Sequence, residues 1–330
     1  MRPEHLKYLR CPKTGAELTL EQDEVENDRI KTGMLSTPNG ESYPIIDFIP
    51  RFVGADNYAE NFGFEWQIHS RTQYDVEASH KLSEDRVFDV SGWGRDLSGD
   101  VILEAGSGSG RFTEHLLGTG AMVVSFDFSQ AVEPNYASNG GHENLLLVQA
   151  NIYEMPFDKT SFDKVFCYGV LQHTPDPHAS FKSLVQMMKP GAKLATDIYI
   201  KTLFRYYLNT RYWVRPFTRN MESQKLYNLC KGWIDLMWPL ARIIRKIPRY
   251  GDAINWRLLI ADPYPEMPDA ADATLKEWAL LDTFDMLSPT YDIPASPKTF
   301  RRWHELAGLI DIDVRRGPNG VVGTAAKAKD

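Results

Sequence analysis

Cysteine is scarce in this chain of 330 residues: Cys11, Cys167 and Cys230 are the whole complement, and none falls in a CxxC pair. Such spacing argues against a disulfide framework and fits a reducing compartment, so a cytoplasmic location is the expectation. Long apolar runs are also missing. The most hydrophobic helical stretch, Trp233 to Ile247, is broken by Asp235, Pro239, Arg242, Arg245 and Lys246, so nothing reads as membrane-spanning. Met1 to Arg10 lack the basic-then-apolar order of a secretory leader. No internal repeat or low-complexity tract occurs. With 43% hydrophobic and 25% charged residues the composition is that of a globular protein, long enough for one large domain with additions or for two ordinary ones.

Acid outweighs base, with a net charge of -7, yet the imbalance is uneven. Between Lys201 and Ile260 there are 12 Lys or Arg against 3 Asp or Glu, a local +9 that leaves -16 for the remainder. An anionic partner would be sought in that stretch.

Residues 1–53 read as a small β-rich module, with short strands at Ala16 to Leu20, Met34 to Leu35 and Ser42 to Ile46. A helical, aromatic lead-in occupies 54–98. From residue 99 to 200, apolar β-branched runs at Val101 to Ala105, Met122 to Phe126, Leu145 to Gln149, Phe162 to Cys167 and Lys193 to Ile198 alternate with helices at Arg111 to Gly118, Gln130 to Ser138 and Pro177 to Met188. Strict alternation predicts an α/β fold with a parallel sheet wound on both sides. Residues 201–297 interrupt it with a helical, basic, aromatic insertion. Residues 298–330 resume it with a helix at Lys298 to Leu306 and an antiparallel strand pair at Ile310 to Arg315 and Val321 to Ala325.

The segment Leu103-Glu-Ala-Gly-Ser-Gly-Ser-Gly110 places Gly106, Gly108 and Gly110 at a strand-to-helix turn, with Ser107 between the first two. Glycine allows backbone angles closed to other residues and close approach of a ligand. A dinucleotide site wants G-x-G-x-x-G, but Arg111 or Thr113 stands where its last glycine belongs. S-adenosylmethionine, which carries no phosphate, suits the spacing better. Helix-start amides would meet its carboxylate and Glu104 its ammonium. Asp127, ending the second strand of the alternation and followed by Phe128, would accept from the ribose hydroxyls, while Asn151 and Ile152 would contact the adenine. The competing readings are a glycine turn needed only for helix packing and Asp127 as a helix cap.

The glycine loop, the Asp127 strand, the segment Gln-Ala-Asn-Ile-Tyr-Glu-Met-Pro-Phe (149–157) and the run Phe162-Asp-Lys-Val-Phe-Cys-Tyr-Gly-Val-Leu-Gln-His-Thr-Pro-Asp-Pro177 together resemble class I methyltransferases, near the ubiquinone-biosynthesis and type 11 groups. The resemblance covers about residues 99 to 200 and the terminal strand pair. It implies a Rossmann-like fold with a seven-stranded, mostly parallel sheet, a helical insertion between strands 5 and 6, and S-adenosylmethionine converted to S-adenosylhomocysteine. Asn151 departs from the more usual aspartate. Leu9-Arg-Cys-Pro-Lys-Thr-Gly and Tyr43-Pro-Ile-Ile-Asp-Phe-Ile-Pro-Arg-Phe52 resemble the Trm112-like, zinc-ribbon-related module. Cys11 is unpaired there, so no metal is expected.

In resembling enzymes the reaction lies near Tyr168, Gly169 and Gln172 to Thr174. His173 is the candidate general base, or else a helix-packing histidine, and Tyr168 shapes the methyl pocket or simply the core. Tyr58, Phe62 and Trp66 form a lid over the cofactor or a core cluster. Arg205, Arg211, Arg215, Arg219, Arg242, Arg245 and Arg249, interleaved with Tyr206, Tyr207, Trp213 and Trp238, suit an anionic acceptor, an anionic membrane surface through 201–260, or a solvated face. Nucleic acid is not expected as a partner, because the chain is acidic overall and shows no RNA module. The expected activity is O- or C-methylation of a small-molecule or glycan- or lipid-linked acceptor. The alternatives are a tRNA or protein methyltransferase and a non-catalytic docking protein that binds the cofactor.

Overall fold

The computed structural model describes residues 1–54, 59–75, 81–201 and 209–329. The chain divides into two compact units, one of Met1–Asn57, Glu84–Ile200 and Tyr291–Asp330, the other of Tyr58–Ser83 and Lys201–Thr290.

The first unit opens with four antiparallel strands in sequential order: β1 (Thr19–Glu26), β2 (Arg29–Ser36), β3 (Ser42–Ile46) and β4 (Ile49–Pro50). Asn27 and Asp28 join β1 to β2 with φ of 51° and 59°, the left-handed pair that a two-residue hairpin turn requires. The sequence pattern marks only pieces of this hairpin. Most of β1 is exposed on both faces, so it offers no apolar alternation to detect.

The main sheet holds β5 (Val101–Ala105), β6 (Met122–Asp127), β7 (Leu145–Gln149), β8 (Phe162–Cys167), β9 (Met188–Ile198), β10 (Leu309–Gly317) and β11 (Gly320–Lys327). Their order is β10-β11-β9-β8-β5-β6-β7, with β5 to β9 parallel and β11 inserted antiparallel between β9 and β10. The expected α/β fold with seven mostly parallel strands is therefore the observed one. Successive side chains point to opposite faces: Ile102, Val123, Leu145 and Leu147 join one buried cluster, and Leu103, Val124, Phe126, Leu146 and Val148 the other. Burying a large apolar side chain contributes roughly 1.5–3 kcal/mol, against about 1 kcal/mol for the whole range of strand propensity. Two-sided burial, rather than local preference, selects this sheet. Leu9 and Cys11, ahead of β1, and Ile30, Leu35 and Ile45 of the amino-terminal strands share the second cluster. Their connection runs beside β7, where Phe52 N donates to the Gln149 carbonyl at 2.9 Å and so occupies part of its open edge.

Helices Arg111–Leu117, Val132–Asn139 and Pro177–Met187 fall where the alternation placed them, give or take two residues. Pro177 at the first helical position and Asp176, whose side chain accepts from the His178 and Ala179 amides, fix the start of the third. Strand β9 begins at Met188 rather than Lys193, so Lys189-Pro190-Gly191 ends the helix and opens the strand at once.

In the second unit, helices Glu60–Ile68, Arg211–Thr218, Ser223–Ile244, Gly251–Arg257 and Asp272–Leu287 supply the expected insertion between β9 and β10 and part of the lead-in. Leu226, Cys230, Ile234, Trp238 and Ala241, spaced by three or four, form the buried face of the long helix against Leu275, Trp278 and Phe284. Among the described residues, no helix is long and apolar enough to cross a membrane.

Candidate functional site

β5 pairs with β6 on one side and with β8 on the other, which makes the carboxyl ends of β5 and β8 the topological switch point of the sheet. Open α/β sheets bind ligands at that place. The register aligns the ends: Glu104 faces Ser125 and Phe166, and Asp127 faces Gln149. Glu104, Asp127, Asn151 and Gly169 are thereby brought to one edge of the sheet.

The glycine loop is pinned by two amides, Gly106 N and Ser107 N, which donate to the Phe126 carbonyl at 2.8 and 3.1 Å. Gly106, Gly108 and Gly110 have φ of 77°, 51° and 98°, all in the left-handed region that favours glycine. A Cβ on Gly106 would lie 2.2 Å from a methyl of Val170, and one on Gly110 would lie 2.3 Å from Asn135 Oδ1. At those two positions the missing side chain makes room for the protein's own atoms. Ser107 is buried, and Gly110 starts helix Arg111–Leu117.

Glu104 is almost completely buried. Its Oε2 accepts from Thr113 Oγ1 and Ser125 Oγ, both at 2.7 Å, whereas Oε1 has no hydrogen-bond partner among the described residues. Burial pushes its carboxyl up to about 7, opposed by the two hydroxyls and reinforced by Asp127. Asp127 accepts from Gly108 N at 2.9 Å through Oδ2, and from Ser129 N and Oγ at 2.8 and 2.7 Å through Oδ1. It braces the loop and the turn after β6; Oδ1 already accepts twice, and Oδ2 keeps a further lone pair for a ligand. Burial raises this carboxyl as well. Phe128 is half-buried next to it, Ile152 is buried, and Asn151 uses its Oδ1 to accept from Tyr153 N at 3.1 Å, leaving its amide nitrogen unbonded among the described residues.

Beyond β8, Tyr168 lies inside an aromatic cluster, stacked with Phe166 and edge-on to Phe112, so it belongs to the core. Gly169 follows with φ 78°. His173 sits in the buried turn Leu171–His173, and its Nδ1 lies 3.0 Å from the Tyr291 carbonyl. A carbonyl only accepts, so Nδ1 is the donor of this contact. Ile293 N donates to the Gln172 carbonyl at 2.8 Å and Ala295 N to that of Tyr199 at 3.0 Å, so segment 291–295 is strapped across this turn.

Sequence reasoning missed Asp197. At the end of β9 and fully buried, it accepts from Gly169 N at 2.6 Å. A lone acid inside Leu-Ala-Thr-Asp-Ile was the available signal. With Glu104 and Asp127 it makes the strand ends acidic, which suits a cationic ligand and opposes a phosphate.

Trp66, half-buried, lies on helix Glu60–Ile68 of the second unit, as does Phe64, which packs on Tyr227 and Phe284. Tyr58, Arg205, Tyr206 and Tyr207 fall outside the described residues. Two arginines of the basic insertion serve its own fold. Arg215 is buried and donates to the Met286 and Pro289 carbonyls, and Arg245 pairs with Asp262 at 3.1 Å between the rings of Trp238 and Tyr264.

Residues 103–196 match the methyltransferase domain family. That segment carries a methyltransferase domain. The match runs from β5 through most of β9 and takes in the glycine loop, Asp127, Asn151 and His173; the methyl donor that such a domain implies is S-adenosylmethionine. The chain is similar to the ubiquinone biosynthesis O-methyltransferase of Coxiella burnetii, 31% identical over 117 residues, which is 34% of this chain and 49% of that protein. Its counterpart in Xanthomonas oryzae is 32% identical over 103 residues, 30% of this chain and 43% of the relative. The chain thus spans about half the length of the curated relatives it matches. Among solved structures it is similar to a SAM-dependent methyltransferase from Aquifex aeolicus, with a TM-score of 0.42 at 12% identity, covering 82% of this chain and 98% of the other. An O-methyltransferase family protein from Burkholderia thailandensis gives a TM-score of 0.44 at 12% identity, covering 75% and 57%.

Proposed function

We propose that the protein transfers the methyl group of S-adenosylmethionine to an oxygen or carbon of a small molecule or of a glycan- or lipid-linked acceptor. The observation that carries this reading is Glu104 Oε1, a buried carboxylate oxygen with no partner among the described residues, beside a left-handed glycine loop. An unmatched buried acceptor costs about 1–3 kcal/mol or more, and an ammonium group would relieve it. In this reading Glu104 holds the amino group, the backbone of Gly106, Ser107, Gly108 and Gly110 walls the carboxylate end, Asp127 and Phe128 hold the ribose, Asn151 and Ile152 the adenine, with Gly169 closing the site. The bound donor supplies an electrophilic methyl carbon on its sulfonium. His173 is the general base, its ring oriented through Nδ1 so that Nε2 takes the acceptor's proton. Tyr168 supports this turn from the core.

The relatives' activity in ubiquinone biosynthesis favours a phenolic oxygen on a quinone-like lipid. One feature of the second unit supports a membrane-surface site for such a substrate. Leu229, Trp233, Leu236, Leu240 and Ile243 run as an exposed apolar stripe along helix Ser223–Ile244, Phe217 is 80% exposed nearby in sequence, and Lys225 and Lys246 are exposed near the stripe's two ends. Apolar stripe and flanking cations together suit an anionic bilayer surface. In this reading the protein is cytoplasmic, and its amino-terminal strands are a Trm112-like module acting as a packing element. Methylation of tRNA or protein, and cofactor binding without transfer, are the competing functions.

Incubating the purified protein with S-adenosylmethionine and fractionated acceptor pools tests the reading. S-adenosylhomocysteine should form in an acceptor-dependent way. His173→Ala should lower that rate by about 10²–10⁴ while donor affinity stays put, and an unchanged rate removes His173 as the base. Calorimetry that finds no heat for the donor with the folded protein overturns the assignment.

A further inference from the structure

Asp197 carries more than its place in β9 requires. The carboxylate is fully buried and serves two donors, Gly169 N on Oδ1 at 2.6 Å and Asn319 Nδ2 on Oδ2 at 2.8 Å. Asn319 lies between β10 and β11, in the tight turn from Gly317 to Gly320. Gly169 has φ 78°, and the next residue, Val170, presses on Gly106 closely enough to exclude any Cβ there. Three contacts in series therefore run from the β10–β11 turn to the glycine loop: Asn319 to Asp197, Asp197 to Gly169, and Val170 to Gly106.

A residue needed only to fill the strand would be apolar, as its neighbour Ile198 is. Burial pushes the Asp197 carboxyl up to about 6 against the field of Arg86 and Arg111, so holding it ionised is costly. What a carboxylate alone provides is an acceptor on both sides. An asparagine would turn its NH₂ toward one of the two donors.

We propose that Asp197 is a positioning residue for the cofactor loop, clamping the Gly169–Val170 turn against Gly106 with Asn319 as its second anchor. This rests on reading the glycine loop as the donor site.

The test is a swap. Asp197→Asn exchanges two charge-assisted contacts for weaker amide ones, the contact to residue 319 kept only if the Asn319 amide flips to accept, and Asn319→Asp leaves two carboxylates; the double variant restores one acceptor toward Gly169 and one charge-assisted donor–acceptor pair across the turn. Calorimetry with S-adenosylmethionine should show donor affinity at least about tenfold weaker in each single variant and within about threefold of wild type in the double. Wild-type affinity in Asp197→Asn, or a double variant no better than the poorer single, overturns the inference. Hydrogen exchange of the amides of residues 168–170, measured on the same proteins without donor, separates the two ideas. If the wild type binds no donor, the functional reading fails, yet exchange must still quicken in Asp197→Asn and slow again in the swap; equal exchange in all forms sinks the clamp. Should Asp197→Asn not fold, Asn319→Ala removes one anchor from a surface turn, and unchanged exchange in that variant likewise rules the clamp out.

Discussion

The strand ends of the first unit and the long helix of the second each break the ordinary rule of burial, in opposite senses. At the strand ends three carboxylates lie wholly or partly out of water, and Glu104 keeps one oxygen unmatched among the described residues. On the helix Ser223–Ile244 the cost runs the other way, with Leu236 71% exposed within an apolar stripe. Buried charge and exposed oil are both unfavourable in a protein alone. In the proposed reading each is relieved by something outside the chain, a small cation in the first case and an apolar, anionic surface in the second. The two regions also differ in how sharply a single side chain should matter, since one is a point contact and the other is a sum of small areas.

The sharpest break at the strand ends is Asp127→Ala. It removes the proposed hydroxyl acceptor and the brace on Gly108 and Ser129 together. Donor affinity measured by calorimetry should fall by at least about a hundredfold, as the loss of a charge-assisted hydrogen bond together with the loop brace implies. A fall of less than about threefold would leave Asp127 as a loop brace and nothing more.

Next in size is Gly106→Ala. The new Cβ sits in the left-handed region and 2.2 Å from Val170. Strain and overpacking should lower the unfolding free energy by about 2–4 kcal/mol in denaturant titration. Trimming Val170 to Ala in the same protein should recover the overpacking part and leave the backbone part. If the double variant is no more stable than Gly106→Ala, the close packing is not what selects glycine there.

The same contrast explains what was legible in the sequence. β5 to β9 were legible because each carries a short apolar run with buried residues on both faces, bounded by turn residues, and the strand ends came with them: Glu104, Asp127 and Asn151 are polar residues at or just past the ends of such runs. The amino-terminal hairpin was half lost because Glu21, Asp23, Glu24 and Glu26 of β1 are exposed and follow no apolar period. Asp197 was lost for a different reason: its partners, Gly169 and Asn319, are 28 and 122 residues away, and no local pattern encodes them. Two arginines of the insertion misled. Composition counts Arg215 and Arg245 as available cations, whereas packing turns them inward.

A titration sharpens the role of Glu104. Burial lifts its carboxyl to about 7 from an ordinary 4.5, so the folded free protein holds this proton more tightly than the unfolded chain. The group's contribution to stability is therefore present below about 4.5 and is lost as pH rises to about 7. Glu104→Gln should raise stability at pH 8, by about 1–3 kcal/mol, while weakening the donor. Binding the ammonium requires the proton to leave, so wild-type donor affinity should fall about tenfold per pH unit below 7 and stay level in Glu104→Gln. A wild-type profile flat from pH 8 to 6 removes Glu104 as the ammonium partner.

The smallest effects belong to the helix stripe. Leu236→Ser and Ile243→Ser alter side chains that face solvent, so each should change the unfolding free energy by no more than about 0.5 kcal/mol. Their loss should register instead in sedimentation with vesicles containing about one-third anionic lipid. Each leucine or isoleucine that no longer enters the interface forfeits part of about 1.5–3 kcal/mol, so the pair should weaken association about tenfold or more, with donor affinity unchanged. Vesicle association indifferent to both substitutions would assign the stripe to another occupant. A drop in thermal stability instead would mean that the stripe is covered by the protein itself, and the contrast between the two regions would then collapse to the strand ends alone.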